Sequence, residues 1–425
     1  MDRSRRAPTP VAPSRRPLRR RLLLVAALVA ALQAITAIIV TAGARRAERA
    51  RIARRPAHHP RIDFQPVPLE QGGSTVQLYM HGDALLADLI AAIDAARERI
   101  LLETFIWVGD DAGQAVRDAL ARAAGRGVAV FVLWDWLLSD RSLDDGYFPP
   151  GVEAHPFRPL RLRPSSLRLR NAIRDHRKVV VVDDHVGFIG GYNIGDEYLG
   201  WRDTHLRIEG PPALELANAF SDFWNHHAPS SASRLPNVTG RHWDPHVLVQ
   251  RNDPSLAIFP IRGMYVEAMD RASQRIWLTN AYFVPDGNFR ATLCEAARRG
   301  VDVRVMLPSR SNHPLTDVLA HGMFTELLRA GVRIFLYEDF MVHAKTAVID
   351  DTWVTVGTAN LDRWSMLGNY EINVEARSAA LAAQLVQLFE FDMRNCRELH
   401  PDGWDRRPAS WKASERLLKT LGPLL

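Results

Sequence analysis

Two stretches decide the fold: His176-Arg177-Lys178-Val179-Val180-Val181-Val182-Asp183 and His343-Ala344-Lys345-Thr346-Ala347-Val348-Ile349-Asp350. Both follow H-x-K-x4-D. Gly190 and Asn193 in "GFIGGYN" stand as far beyond His176 as Gly357 and Asn360 in "TVGTAN" stand beyond His343. A chain of this composition should contain H-x-K-x4-D by chance about 0.01 times. Two copies in register therefore mean a duplicated unit. The chain has 50 arginines and only four lysines, and Lys178 and Lys345 occupy the same motif position. A site that takes lysine in so arginine-biased a chain wants a compact point charge rather than a planar fork.

Side chains on an extended strand repeat every two residues, so His176 shares a face with Lys178, and His343 with Lys345. Asp183 and Asp350 have the opposite parity, which gives them a supporting place even though they complete the motif. After each motif a glycine-bearing turn presents Asn193 or Asn360 where backbone can approach a ligand closely. Two histidines, two lysines and two asparagines around one pocket suit a phosphodiester. Lys178, Lys345, Asn193 and Asn360 would hold its non-bridging oxygens. One histidine would attack phosphorus while the other protonates the leaving alcohol. A carboxylate on the far ring nitrogen orients such a histidine. The candidates are Asp203 in "WRDTHLRI" and Glu371 in "NYEINV", each following the motif histidine of its own half at nearly the same spacing.

Outside the motifs the two halves repeat one order of elements. A helical pattern ends in an apolar strand at 85–107 and again at 263–283, followed by a helix, Arg-Gly and a valine-alternating strand at 119–134 and 292–307. This alternation predicts α/β units around largely buried sheets. The fold class expected is α/β: two similar units meeting face to face at one central site. The expected boundaries are a basic tail (1–21), an apolar span (22–44), a linker (45–65), a first unit (66–227), a second linker (228–245), a second unit (246–400) and an amphipathic tail (401–425).

The net charge of +6 and pI near 9.6 suit an anionic partner, but residues 1–55 alone carry 14 arginines against two acids. The remainder says little through charge. Two cysteines without a CxxC exclude a disulfide framework and a cysteine-rich zinc site, and no metal is expected. Leu22–Ala44 holds 23 residues without a charge, which as a helix reaches about 34 Å, enough for a bilayer. The expectation is an uncleaved membrane anchor rather than a signal peptide. Arginine counts on its two sides, eight before and six after, nearly balance, so charge does not orient it. Seven arginines between Arg158 and Lys178 read equally as a cationic approach for lipid headgroups and as a solvated loop.

The paired "HRKVVVVD…GGYN" and "HAKTAVID…GTAN" resemble the HKD motifs of the phospholipase D superfamily. With "ILLETFIW", "GGYNIGDEYLGWRDTHLRIEGP", "NAYFVP", "RGVDVRVMLPSRS" and "GTANLDRWSMLGNYEINVE" they resemble more narrowly bacterial cardiolipin synthases, over roughly residues 70–410. The resemblance implies two phospholipase D-like units and a catalytic set of His176, Lys178, Asp183, His343, Lys345 and Asp350, with no cofactor. It implies a two-step transfer in which two phosphatidylglycerols give cardiolipin and glycerol, with His176 as nucleophile and His343 as acid/base. Thr358 stands where serine is commoner and offers the same hydroxyl. The expected partners are phosphatidylglycerol, other anionic phospholipids and the membrane, at the bacterial inner membrane with the catalytic part facing the cytoplasm. Nucleic acid is not the expected partner. The motifs leave open a phospholipase D that uses water as acceptor, and a nucleic-acid phosphodiesterase.

Overall fold

The computed structural model describes residues 27, 29–43, 46, 61–69, 73–144, 146–159, 173–236, 246–338 and 340–419. Its first sheet contains Val67–Pro68 (β1), Thr75–Tyr79 (β2), Arg99–Thr104 (β3), Ala129–Asp135 (β4), Val152–Phe157 (β5), Val179–Val182 (β6), Val186–Gly190 (β7) and His205–Glu209 (β8). The second contains Val247–Asn252 (β9), Arg275–Asn280 (β10), Asp302–Pro308 (β11), Arg333–Tyr337 (β12), Lys345–Ile349 (β13), Trp353–Gly357 (β14), Glu371–Arg377 (β15) and Cys396–Leu399 (β16).

The first sheet runs β1-β2-β8-β7-β6-β3-β4-β5 and the second β16-β12-β11-β10-β13-β14-β15-β9. Read from β2 and from β9, seven strands follow one order: β2-β8-β7-β6-β3-β4-β5 matches β9-β15-β14-β13-β10-β11-β12. The extra strands, β1 and β16, sit at opposite ends of that shared order. In both sheets the motif strand pairs antiparallel with the strand that opens the α/β run, β6 with β3 and β13 with β10.

The central strands β3, β6 and β10 bury apolar residues on both faces, as a sheet covered on both sides requires. Along β3, Ile100 and Leu102 face the helices Gly82–Ala95 and Asp111–Gly125, while Leu101 faces inward. On β10, Ile276 and Leu278 pack with the helices Pro260–Arg271, Gly287–Arg298 and Pro314–Arg329, while Trp277 faces inward. The inward faces share one core with the helices Pro212–His227 and Ala379–Met393. The layers therefore run helix, sheet, helix, sheet, helix, and β7 touches β14 and β15 directly across the middle. The helices 401–405 and 409–418 pack on Pro314–Arg329, where Leu418 is fully buried.

Among the described residues no helix is long and apolar enough to cross a membrane; of the expected span, residues 29–43 are helical. Most of residues 22–28, the start of the expected span, lie outside the described residues. The helix exposes Val29, Leu32, Ile35, Ile38 and Ile39, and the amide of Gln33 donates to the carbonyl of Leu417 at 2.9 Å. Most of the cationic run from 158 to 178 and of the linker 45–65, and half of the linker 228–245, likewise lie outside the described residues.

Candidate active site

The motif histidines stand immediately before β6 and β13, where each chain segment enters its sheet. Each entry is hydrogen-bonded to the other half. The His176 amide donates to the Tyr370 carbonyl and the Tyr370 amide to the Arg174 carbonyl, both at 3.0 Å. Reciprocally, the His343 amide donates to the Arg202 carbonyl at 2.7 Å and the Arg202 amide to the Met341 carbonyl at 2.9 Å. Tyr370 and Arg202 are the residues just before Glu371 and Asp203. The backbone thus carries each carboxylate across to the opposite histidine.

The side chains complete the exchange. His176 Nδ1 lies 2.9 Å from Glu371 Oε2, and His343 Nδ1 lies 2.6 Å from Asp203 Oδ2. Both orienting residues read from the sequence are present, but each serves the histidine of the other unit. Their spacing along the chain carries no sign of this, because it reports the repeat and not the way two repeats dock. The Thr358 hydroxyl donates to Glu371 Oε2 at 2.5 Å, and the Thr204 amide to Asp203 Oδ1 at 2.7 Å. Gly191 and Gly357 make room: a Cβ on Gly191 would collide with the Asp203 carboxylate, and one on Gly357 with the Asn373 side chain.

Lys178 Nζ donates to the His176 carbonyl at 2.7 Å; Lys345 Nζ donates to the His343 carbonyl and lies 2.9 Å from His343 Nδ1. The Asn193 carbonyl oxygen accepts from the Ile106 amide at 3.2 Å, while that of Asn360 is buried without a partner among the described residues. Asp183 and Asp350 are corrected out of the catalytic set. Their carboxylates accept from the backbone amides of Arg97, Glu98 and Arg99 and of Ser273, Gln274 and Arg275, at the far ends of their strands. Both sit at positive φ, 51° and 50°, where a short polar side chain is tolerated. They tie the end of each motif strand to the start of its neighbour.

Burial sets the electrostatics. Burial, with Lys178 and Lys345 nearby, holds the His176 ring well below the ordinary histidine value, and burial beside Lys345 lowers His343 to about 3. Burial, with Lys345 close by, lowers Lys178 to about 7, and burial lowers Lys345 to about 8 against the pull of Asp203 and Glu371. The carboxylates diverge. Burial pushes Glu371 up to about 8. Burial acts the same way on Asp203, but Lys345 and His343 outweigh it and hold the acid below the usual carboxylate range. Two cations that repel each other in a dry site are short of negative charge, and a phosphodiester supplies it.

Sequence reasoning missed several neighbours. Phe105 packs edge-on to His176 at 4.7 Å between ring centroids, and Trp201 and Tyr282 approach His343 at 4.9 and 6.0 Å. Phe105 and Tyr282 lie one and two residues beyond equivalent strands, in "ETFIW" and "NAYF", so an aromatic beside each strand end was the available signal although the two positions do not match. A fully buried ion pair joins Arg202 to Asp392, with Nη2–Oδ2 at 2.6 Å. Arg177 makes a second buried cluster with Glu103 and Asp175.

A family model described as a cardiolipin synthase, phospholipase D-like domain, matches residues 89–224 and 265–393. The major cardiolipin synthase of Bacillus subtilis (strain 168) is 32% identical over 369 residues, covering 83% of this chain and 76% of that protein. Cardiolipin synthase A of Pseudomonas putida (strain GB-1) is 34% identical over 368 residues, covering 82% and 75%. Among solved structures, a phosphatidylserine synthase from Haemophilus influenzae matches at a TM-score of 0.62 with 16% identity, over 84% of this chain and 95% of that one. A polyphosphate kinase from Porphyromonas gingivalis matches at 0.52 with 12% identity, over 86% and 57%. At those identities both likenesses speak to the fold alone.

Proposed function

Because the chain belongs to the phospholipase D-like cardiolipin synthase family, we propose that it is a phosphatidyltransferase that converts two phosphatidylglycerols into cardiolipin and glycerol. The observation that carries this reading is the crossed pair of histidine–carboxylate contacts, flanked by two buried lysines. It provides a nucleophile, an acid/base and a cradle for one phosphodiester in a single site.

The proposed chemistry has two steps. His176 Nε2 attacks phosphorus, the bond from phosphorus to the glycerol oxygen breaks, and His343 gives that oxygen a proton. The free hydroxyl of a second phosphatidylglycerol then returns a proton to His343 and attacks phosphorus as the P–N bond breaks. Lys178, Lys345 and the amides of Asn193 and Asn360 hold the non-bridging oxygens, where charge builds in both transition states. Glu371 and Asp203 keep each Nδ1 engaged so that Nε2 faces the substrate. The anionic phosphate offsets the two lysine charges and raises the histidine pKa values into a range useful for proton transfer. The apolar residues from Leu22 to Ala44 support a single-pass anchor that holds the site at the membrane surface where its substrate lies.

The test uses the full chain with phosphatidylglycerol vesicles and chelator, comparing wild type, His176→Ala and His343→Ala by lipid mass spectrometry. Cardiolipin and glycerol, both lost in each variant, are the expected products, and the active protein should sediment with the membrane only while residues 1–44 are present. Phosphatidic acid as the sole product would make the protein a hydrolase with the same intermediate. No lipid turnover beside cleavage of single-stranded nucleic acid would defeat both lipid readings.

A further inference from the structure

The two halves repeat one another closely enough for their differences to carry information, and two equivalent loops differ sharply in chemistry. The loops after β4 and β11 are equivalent, each following the shared Arg-Gly-Val and a seven-residue strand. After β4 the loop reads Trp136-Leu137-Leu138-Ser139, and after β11 Ser309-Arg310-Ser311-Asn312-His313. On the first side Leu137 and Leu138 are 39% and 53% exposed, large apolar side chains facing outward. Ser139 ties their loop to the Phe105 carbonyl at 3.4 Å and to the Trp107 amide at 3.1 Å, and Phe105 lies against His176.

The second side is polar. The Tyr282 hydroxyl donates to Asn312 Oδ1 at 2.5 Å, its ring meets His313 edge-on at 5.0 Å, and it approaches His343 at 6.0 Å. Asn312 and His313 are exposed, and Ser311 anchors their turn by donating its amide to Asp317 at 2.9 Å. With its oxygen engaged by Tyr282, Asn312 keeps two N–H donors. Tyr282 keeps an oxygen lone pair, and the His313 ring adds a donor or an acceptor. Ile106 stands where Tyr282 does in the other half, so the first half has no counterpart of this cluster.

We propose that Tyr282, Asn312 and His313 form a subsite for a vicinal diol, the glycerol headgroup, and that the Leu137–Leu138 side receives the diacylglycerol end of the donor lipid. This rests on the phosphatidyltransferase reading. In an in-line displacement the leaving group departs on the side of the acid, and the acceptor later arrives along the same line. One polar subsite beside His343 therefore serves both the departing glycerol and the accepting one. Paired hydroxyls, each donor and acceptor, match the mixed donors and acceptors there, whereas a simple alkanol leaves them unpaired.

The experiment offers the full chain phosphatidylglycerol vesicles with deuterated glycerol and 1-propanol in equal amounts. It compares labelled phosphatidylglycerol with phosphatidylpropanol in the products. Wild type should favour glycerol. Asn312→Leu and His313→Leu should each lower that ratio about tenfold at whatever total turnover remains, because both products come from one phosphatidyl-enzyme and only the diol acceptor loses its hydrogen bonds. An unchanged ratio, whether or not total turnover falls, overturns the subsite. Wild type that forms neither product defeats the transferase reading and the subsite with it, whereas an active wild type with unaffected variants defeats the subsite alone.

Discussion

At the scale of single residues, what sets this site apart is that two histidines in equivalent places have unlike carboxylates. Asp203 stays ionised between Lys345 and His343, while burial pushes Glu371 up to about 8. A carboxyl raised in the folded state keeps a proton that the unfolded chain releases above about 4.5, so the folded state binds more protons between about 4.5 and 8. Stability contributed through Glu371 is therefore full below that window and is lost as pH rises through it. Glu371→Gln removes the titration. Its stability relative to wild type should improve from pH 5 to pH 8, by up to about 1.4 kcal/mol per pH unit, in urea unfolding at several pH values. The same variant should shift the imidazole nitrogen resonances of His176 and leave those of His343 in place. A response at His343 would contradict the crossed pairing.

At the scale of elements, the repeat builds one latch twice with different chemistry. The helices Pro212–His227 and Ala379–Met393 carry Phe223 and Asp392 at matching places in "AFSDFW" and "LFEFDM". Phe223 packs on Tyr370 at 4.8 Å between ring centroids, and Asp392 pairs with Arg202. Tyr370 and Arg202 each precede an orienting carboxylate, so each latch fixes the segment that delivers it. One latch needs only packing, whereas the other holds two fully buried charges that depend on each other. Asp392→Asn should cost about 3–5 kcal/mol by leaving the Arg202 guanidinium uncompensated. Arg202→Met with Asp392→Leu should recover most of that loss. Chemical denaturation of the three proteins decides it: a double variant as unstable as the single one would show that the pair acts through something other than its charge balance.

At the scale of the whole molecule, neither half is complete. Each supplies one histidine and the carboxylate for the other's, and their inward sheet faces share a single core that includes Leu101, Val181 and Phe220 with Val348, Val354 and Phe389. Residues 66–227 or 246–400 alone would expose that face to water. Each fragment should then bind a hydrophobic dye and show no lipid turnover, while the two expressed together recover activity. A fragment that is active, or that gives a native near-ultraviolet circular dichroism spectrum alone, would refute the shared core.

Much of this was legible in the chain itself. His176, Lys178, His343 and Lys345 stand out because H-x-K-x4-D occurs twice in register among only four lysines. The α/β class followed from repeated helix-and-strand periodicity, which is a local property. The partner of each histidine was not legible, since the spacing along the chain assigns each carboxylate to its own repeat. Only the docking of two sheets across a common core brings Tyr370 beside Asp175 and Arg202 beside Val342, and so exchanges Glu371 and Asp203. The same holds for the Arg202–Asp392 pair, drawn from different halves, and for the contrast between Leu137–Leu138 and Asn312–His313. A repeat is written in local periodicity, but the way two repeats meet depends on long-range burial, which no spacing along the chain records.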